Sequence, residues 1–250
     1  MIYGLYNSAA GMMVDEYRQS VIANNLANAD TVGFQRDVAV FAERLPASEA
    51  GRRSGASAPD LAGLSGGLWL GRTHTDFSPG QHVKTDNPLD VALAGPGFLS
   101  VSVAGERQYT RDGRMVMDAD GRLVSALDGS PYLGRGGMPI RLNPRGGQPE
   151  VTRDGRIMQD AGLVAELELT DFPDPSVLRK TGNARLAAPP DTVGVEVRPE
   201  LQPGYIEQSA VQTVPELVDM IAASRSYQMN AQMITLADQT LGRLIAIIAR

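Results

Sequence analysis

The 250-residue chain carries 23 basic and 29 acidic side chains, for a net charge of −6 at pH 7, with 42% hydrophobic residues and no cysteine. That balance is enough for one large domain or two smaller ones, argues against a nucleic-acid surface, and rules out disulfides, thiolate chemistry and cysteine-bound zinc. Asn7, Ser8, Asp15, Glu16 and Arg18 break the first apolar stretch, and Asp238, Gln239 and Arg243 break the last, so neither a standard secretory signal nor a membrane-spanning helix is expected.

The first 28 or so residues read as a long helix. Ile2, Leu5, Ala9, Met12, Gln19, Ile22 and Leu26 form one stripe, and Tyr6, Ala10, Met13, Tyr17 and Val21 form a second beside it. The spacing by three and four is the helical period. A helix that is small, apolar or amide-bearing on most sides calls for burial on most sides. The helix gives way to Asn24-Asn25-Leu26-Ala27-Asn28-Ala29-Asp30-Thr31-Val32-Gly33-Phe34-Gln35-Arg36, where Asn and Gly33 suit the left-handed conformation of a helix exit.

Residues 45–80 are rich in Gly, Ser, Ala and Pro and read as an extended connection. Gly63-Leu64-Ser65-Gly66-Gly67 matches the nucleophile-elbow pattern, but that chemistry needs a strand before the serine, a helix after it, and an acid and a histidine downstream. A loop precedes it, the β-like run Leu68-Trp69-Leu70 follows, and the two histidines, His74 and His82, lie close by on a turn-rich stretch. Neither a catalytic serine nor a His74–Asp76–His82 metal trio is expected.

From residue 82 to about 200 the period becomes two, as in half-buried strands. Leu89–Leu93, Phe98–Val103, Tyr109–Thr110, Met115–Met117, Arg122–Val124 and Val164–Leu169 are the clearest runs. Asp-Gly between such runs is a strong hairpin signal, and Thr-Arg-Asp-Gly-Arg occurs twice, at 110–114 and 152–156. A meandering antiparallel β domain is predicted. Asp118-Ala119-Asp120-Gly121 lacks the acid two places earlier that a calcium loop requires, and Gly95-Pro96-Gly97 lacks the third glycine and the helix of a dinucleotide cradle. Both read as turns.

The chain closes on a second long helix, from Val214 onward. Leu217, Ile221, Ser224, Tyr227, Ala231, Ile234, Asp238, Leu241, Ile245 and Ile248 mark its main stripe. Thr213 and Glu216 have capping-box spacing, and Pro215 is tolerated in the first turn. At about 1.5 Å per residue the helix is roughly 55 Å long, too long for the radius of a compact globule of this size. The expected fold class is α+β. A discontinuous terminal coiled-coil domain (1–44 and 205–250) pairs the N- and C-terminal helices. An extended linker (45–81) leads to a central, mainly antiparallel β domain (82–204).

Three blocks carry a family resemblance. The Asn24–Arg36 segment resembles the N-terminal signature of the bacterial flagellar rod and hook proteins. Asp86-Asn87-Pro88-Leu89-Asp90-Val91-Ala92-Leu93, with Gly95-x-Gly97-Phe98 and Tyr109-Thr110-Arg111-Asp112-Gly113, resembles the second. Gly204–Val211, Val214-x-Glu216-Leu217-Val218-Asp219-Met220-Ile221 and Arg225-Ser226-Tyr227 resemble the C-terminal block. Ala210 and Gln228 depart from that last pattern, which usually has Asn and Glu there. In length and in its single modest β domain the chain is more similar to the proximal rod proteins than to the distal rod or hook proteins.

The resemblance implies a structural subunit of the basal-body rod. It would polymerise with itself and other rod proteins into a helical tube that transmits torque and surrounds the export channel. The flagellar type III apparatus would export it without a cleaved signal. The expected assembly-interface residues are Leu5, Met12, Ile22, Leu26, Asn28, Gly33, Phe34, Leu217, Ile221, Tyr227, Ile234, Leu241 and Ile245. No catalytic, cofactor or metal residue, nucleic acid or small-molecule substrate is expected. The alternatives are a distal rod subunit, an adhesin-like surface protein, and an enzyme or ligand binder on the β scaffold.

Overall fold

The computed structural model describes residues 2–43 and 68–248; the Gly63–Gly67 motif lies outside the described residues, as does the expected linker up to residue 67. Two compact units result. One comprises residues 1–27, 37–74 and 212–250, and the other 28–36 and 75–211.

The first unit holds α1 (Ile2–Ala27), β1 (Asp37–Glu43), most of β2 (Leu68–Thr75) and α2 (Thr213–Ile248). The two helices pack together antiparallel, because Asp15 of α1 meets Asn230 of α2 while Arg18 meets Asp219 and Asn25 meets Glu216. Val14, Ile22 and Ala223 are buried in this unit. Gly11 permits close approach, since a Cβ there would lie 2.9 Å from the Asn230 amide nitrogen. α2 begins at Thr213 itself, so Gln212 precedes the first helical residue, one position before the cap read from the sequence. β1 and β2 form a two-stranded ribbon where the sequence reading has a connecting segment and a linker with the β-like run Leu68-Trp69-Leu70. Gly71 is needed there because a Cβ would lie 2.4 Å from the Val40 carbonyl oxygen.

The second unit is sheet-rich and antiparallel. Its strands are β3 (His82–Lys84), β4 (Val91–Leu93), β5 (Phe98–Val103), β6 (Glu106–Thr110), β7 (Met115–Met117), β8 (Leu123–Ser125), β9 (Leu133–Gly134) and β10 (Met138–Pro139). They continue as β11 (Glu150–Val151), β12 (Arg156–Gln159), β13 (Gly162–Glu166), β14 (Leu169–Asp171), β15 (Arg179–Gly182), β16 (Arg185–Ala187), β17 (Val195–Glu196), β18 (Leu201–Pro203) and β19 (Tyr205–Glu207). The main sheet has six strands in the order β15-β16-β6-β5-β14-β17, which is not a simple meander. Its two faces carry separate cores, as the alternation of β5 requires. Leu99 and Val101 join Val91, Leu93, Met115, Leu123, Tyr132, Ile157 and Leu201. Phe98 points the other way, to Tyr109, Phe172, Leu178 and Leu186, with Tyr109 and Phe172 edge to face at 4.8 Å.

The two copies of Thr-Arg-Asp-Gly-Arg have different fates. Residues 152–156 turn the β11–β12 hairpin, with Val151 opposite Ile157 and Gly155 at φ +78°. Asp118–Arg122 likewise closes β7 onto β8, and Asp118 Oδ1 accepts from the Asp120 and Arg122 backbone N–H groups. Residues 110–114 form no hairpin, because β6 pairs with β5 and β16 while β7 pairs with β8. Here Asp112-Gly113 carries the chain from one sheet to another. A Cβ on Gly113 would lie 1.8 Å from the Val91 carbonyl oxygen, so this glycine serves close packing.

Candidate assembly interface

In the β unit, the three sequence blocks meet at one junction. The N-terminal segment tightens through Thr31 N–H to Asn28 O and Phe34 N–H to Thr31 O. Gly33 then takes φ +68°, and a Cβ there would lie 2.3 Å from the Asp112 nitrogen and 2.5 Å from the Arg111 carbonyl carbon. Its N–H donates to Glu207 O at 2.8 Å, and Phe34 O accepts from Ala210 N–H at 3.0 Å. Lys180 donates to the Gln35 carbonyl and lies 4.2 Å above the Phe34 ring.

Behind this contact lies an ion pair, Arg111 Nη1 to Glu207 Oε2 at 3.1 Å, with side chains 6% and 0% exposed. Such a pair is tolerable only when its other hydrogen-bonding positions are met. Glu207 Oε1 accepts from Gly80 N–H at 2.9 Å, Arg111 Nη2 donates to Gly95 O at 3.0 Å, and the guanidinium lies 5.4 Å from the Phe98 ring centroid. Asp90 accepts from Thr85 and Asn87 close by in sequence, and Tyr132 donates to Asp112 O at 2.7 Å, its burial pushing the phenol well above the ordinary range. Polar residues of the signatures therefore form a packed joint in which Arg111 and Glu207 are paired, while the buried Gln35 side-chain amide has no hydrogen-bond partner. Glu207 and Arg111 had no role in the sequence reading. A charged residue in each of two blocks, separated by 96 positions, was the available signal.

In the helical unit, three polar contacts join the helices. Asn230 Nδ2 donates to Asp15 Oδ2 at 3.1 Å, Arg18 pairs with Asp219 at 3.2 Å, and Asn25 Nδ2 reaches Glu216 Oε1 at 3.4 Å. Asp15, Asn25 and Glu216 are buried. These contacts set the rotation of α2, and its covered face is Glu216, Met220, Ala223, Tyr227, Asn230, Ile234 and Leu241.

The expected assembly residues of α2 divide between its covered and exposed faces. Tyr227, Ile234 and Leu241 are half-buried, whereas Leu217, Ile221 and Ile245 are 42%, 54% and 65% exposed. The sequence stripe steps by about 3.4 residues on average, and a 3.6-residue helix carries its ends around the axis over this length. Ile245 also has no part of α1 beside it. Counting antiparallel from the Asp15–Asn230 contact, Ile2 lies level with about residue 243. On α1, Ile22 is buried and Leu5, Met12 and Leu26 are half-buried, while Tyr6 and Met13 of the expected second stripe are exposed. Gly33 and Phe34 are buried and Asn28 half-buried, all three in the β unit.

Opposite the covered face, α2 presents Val214, Val218, Ile221, Met229, Leu236 and Ile247 to solvent. At about 100° per residue, these six fall within about 80° of one another around the helix. Arg225, Gln232, Gln239 and Arg243 are exposed at the same angles, so the stripe is interrupted, and its six large apolar side chains mark an interaction surface.

Among the described residues, no group of three or more His, Cys, Asp or Glu is placed to hold a metal. His82 Nδ1 is engaged with Gln202 at 2.8 Å, and His74 is exposed. A cleft of about 380 Å³ beside Phe77, Pro79, Pro96 and Phe98 has Arg111 as its basic group, already committed to Glu207. Among the described residues no helix is long and apolar enough to cross a membrane.

A packed polar joint and a helix face with exposed apolar side chains suit a structural, assembling protein. Comparison with known proteins agrees. The flagella basal body rod protein family matches residues 5–35, and the C-terminal family of the flagellar basal body rod FlgEFG proteins matches 202–247. The chain is 32% identical to flagellar basal-body rod protein FlgF of Mesorhizobium japonicum, over 92% of this chain and 90% of the relative. It is 34% identical to rod protein FlgG of Buchnera aphidicola subsp. Schizaphis graminum, over 98% and 99%, and 28% identical to FlgG of Bacillus subtilis, over 98% of each. The chain belongs to the flagellar basal-body rod protein family.

Proposed function

We propose that this protein, a structural subunit of the flagellar basal-body rod, polymerises through its terminal helices, with the expected residues of α1 and α2 forming a coiled inner layer between subunits. The observation that carries this reading is the apolar stripe of α2 facing away from α1. A helix buried on one side only leaves roughly half of its apolar surface for neighbours, and a heterologous contact that does not close generates a helical tube. The exposed residues Met13, Met229 and Met233 add side chains that adapt to unlike partners, which suits a subunit contacting copies of itself and other rod proteins. On the same reading the tube surrounds the export channel and transmits torque. The subunit takes the proximal position and reaches it through the type III apparatus without a cleaved signal. The similarity to FlgF and the chain length support the proximal place.

The test is Ile221→Asp. Ile221 is already half exposed in the single chain, so the free subunit should melt within about 0.5 kcal/mol of the unaltered protein. Burying an unpaired carboxylate at each inter-subunit contact costs several kcal/mol, so electron microscopy of basal bodies should show rods that stop at the preceding segment. Normal rods from this variant would sink the proposal.

A further inference from the structure

We propose that Asn25 is a positioning residue for assembly: its carboxamide fixes the register of α1 against α2 and the point at which β1 starts. The consequence for assembly rests on the helical face proposed above; the register itself does not.

Asn25 is 1% exposed, and its amide is fully used. Asp37 N–H donates to its Oδ1 at 2.9 Å, and its Nδ2 donates to Asp37 O at 2.8 Å. Exchanging both bonds with one residue is how a strand residue pairs in an antiparallel ladder, so this side chain acts as a one-residue strand at the end of a helix. Nδ2 also reaches Glu216 Oε1 in the first turn of α2. Three segments of the helical unit, separated by 12 and 191 positions in sequence, thus meet at one amide.

The geometry matters because the rest of the helix pair can slide. The small residues Ala9, Ala10, Ala223 and Ala231, all at least half-buried, offer little steric resistance to a shift of one turn. A buried amide cannot shift without leaving donors and acceptors unpaired, which is how a single polar residue selects one register in paired helices. Asp15–Asn230, about 15 Å further along, adds a second polar contact in the same register. A one-turn slip would leave Val218, Ile221, Met229 and Leu236 facing outward but shift them about 5.4 Å along α1, out of step with the assembly face. Replacement by Asp would keep the shape, but the charged carboxylate cannot donate to Asp37 O or Glu216, and it would set two carboxylates side by side.

The chain has no cysteine, so register can be read in the full-length protein by disulfide formation. A Cβ at Gly11 would lie 3.3 Å from Asn230 Cγ, within disulfide reach. Gly11→Cys with Asn230→Cys reports the native register, and Gly11→Cys with Ile234→Cys reports a slip of one turn. Added Asn25→Asp should lower the ratio of native to slipped cross-link roughly tenfold, the effect of leaving buried polar groups unpaired. Combining Asn25→Asp with Glu216→Gln should restore part of the ratio, because the Gln amide can donate to Asp where Glu cannot, while Asp37 O stays without its donor. A ratio within about twofold of the unaltered register under Asn25→Asp overturns the proposal, and so does a double variant no better than Asn25→Asp alone. Rod formation is scored separately: normal rods from a register-shifted chain would refute the helical assembly face, not the latch.

Discussion

Replacing Glu207 by Ala tests the joint of the three sequence blocks at its most buried point. The substitution leaves Arg111, itself 6% exposed, without its carboxylate partner at 3.1 Å and leaves Gly80 N–H without the acceptor it has at 2.9 Å. Removing one member of a buried pair costs about 3–5 kcal/mol, because the remaining charge stays desolvated. That is a large share of the roughly 5–15 kcal/mol that holds a typical protein folded. At about 2–4 °C per kcal/mol for a domain of this size, the melting point of the β unit should drop by roughly 6–20 °C. Arg111→Met should cost a similar amount, since Glu207 would then be the buried unpaired charge. The double variant Arg111→Met with Glu207→Ala should recover much of the loss, because neither charge remains to be desolvated. Scanning calorimetry of the full-length protein, its two single variants and the double completes a mutant cycle, with an expected coupling of at least about 2 kcal/mol. Single variants that lose under about 1 kcal/mol, or losses that simply add, would refute the account of the joint.

Two further predictions address neighbouring parts of the β unit. Gly33→Ala adds left-handed strain of about 1–2 kcal/mol to a backbone clash of about 1–3 kcal/mol. It should therefore release the N-terminal segment, speeding amide exchange at residue 33 and at Ala210; unchanged exchange at both would show that the close approach to Asp112 is not required. Asp76 is held at about 2, below its ordinary 3.8, by the Ser78 hydroxyl first, then the Ser78 N–H and Arg36. A carboxylate lowered in the folded state stabilises it in full above about pH 4 and loses that contribution as pH falls toward 2. Asp76→Asn should thus cost on the order of 1 kcal/mol at pH 7, after allowance for solvent screening, and almost nothing at pH 2. An equal loss at both pH values would contradict this.

Much of the molecule follows from local sequence. Steps of three and four residues mark both terminal helices to within one or two residues, and alternation marks strands such as Phe98–Val103. Asp-Gly marks the turns at 118–122 and 152–156. The three blocks identify the family because each holds residues whose special chemistry serves one contact: Gly33 for a positive φ against Asp112, Gly113 for the approach to Val91, and Glu207 for Arg111. What local sequence does not contain is which partner each of them meets. The same five residues, Thr-Arg-Asp-Gly-Arg, close a hairpin at 152–156 and cross between sheets at 110–114, because the strands that flank them find different neighbours. Residues 28–36 continue directly from α1, yet they pack in the β unit, where Gly33 meets Arg111 and Glu207. The outward face of α2 is likewise invisible to a pattern of apolar residues on nearly every side. It is selected by buried polar contacts, Asn25 to Glu216 and Asp15 to Asn230, between residues about two hundred positions apart. Periodicity and turn chemistry act over a few residues and are written locally. Register, strand order and the choice of buried face depend on pairs that meet only once the chain has folded.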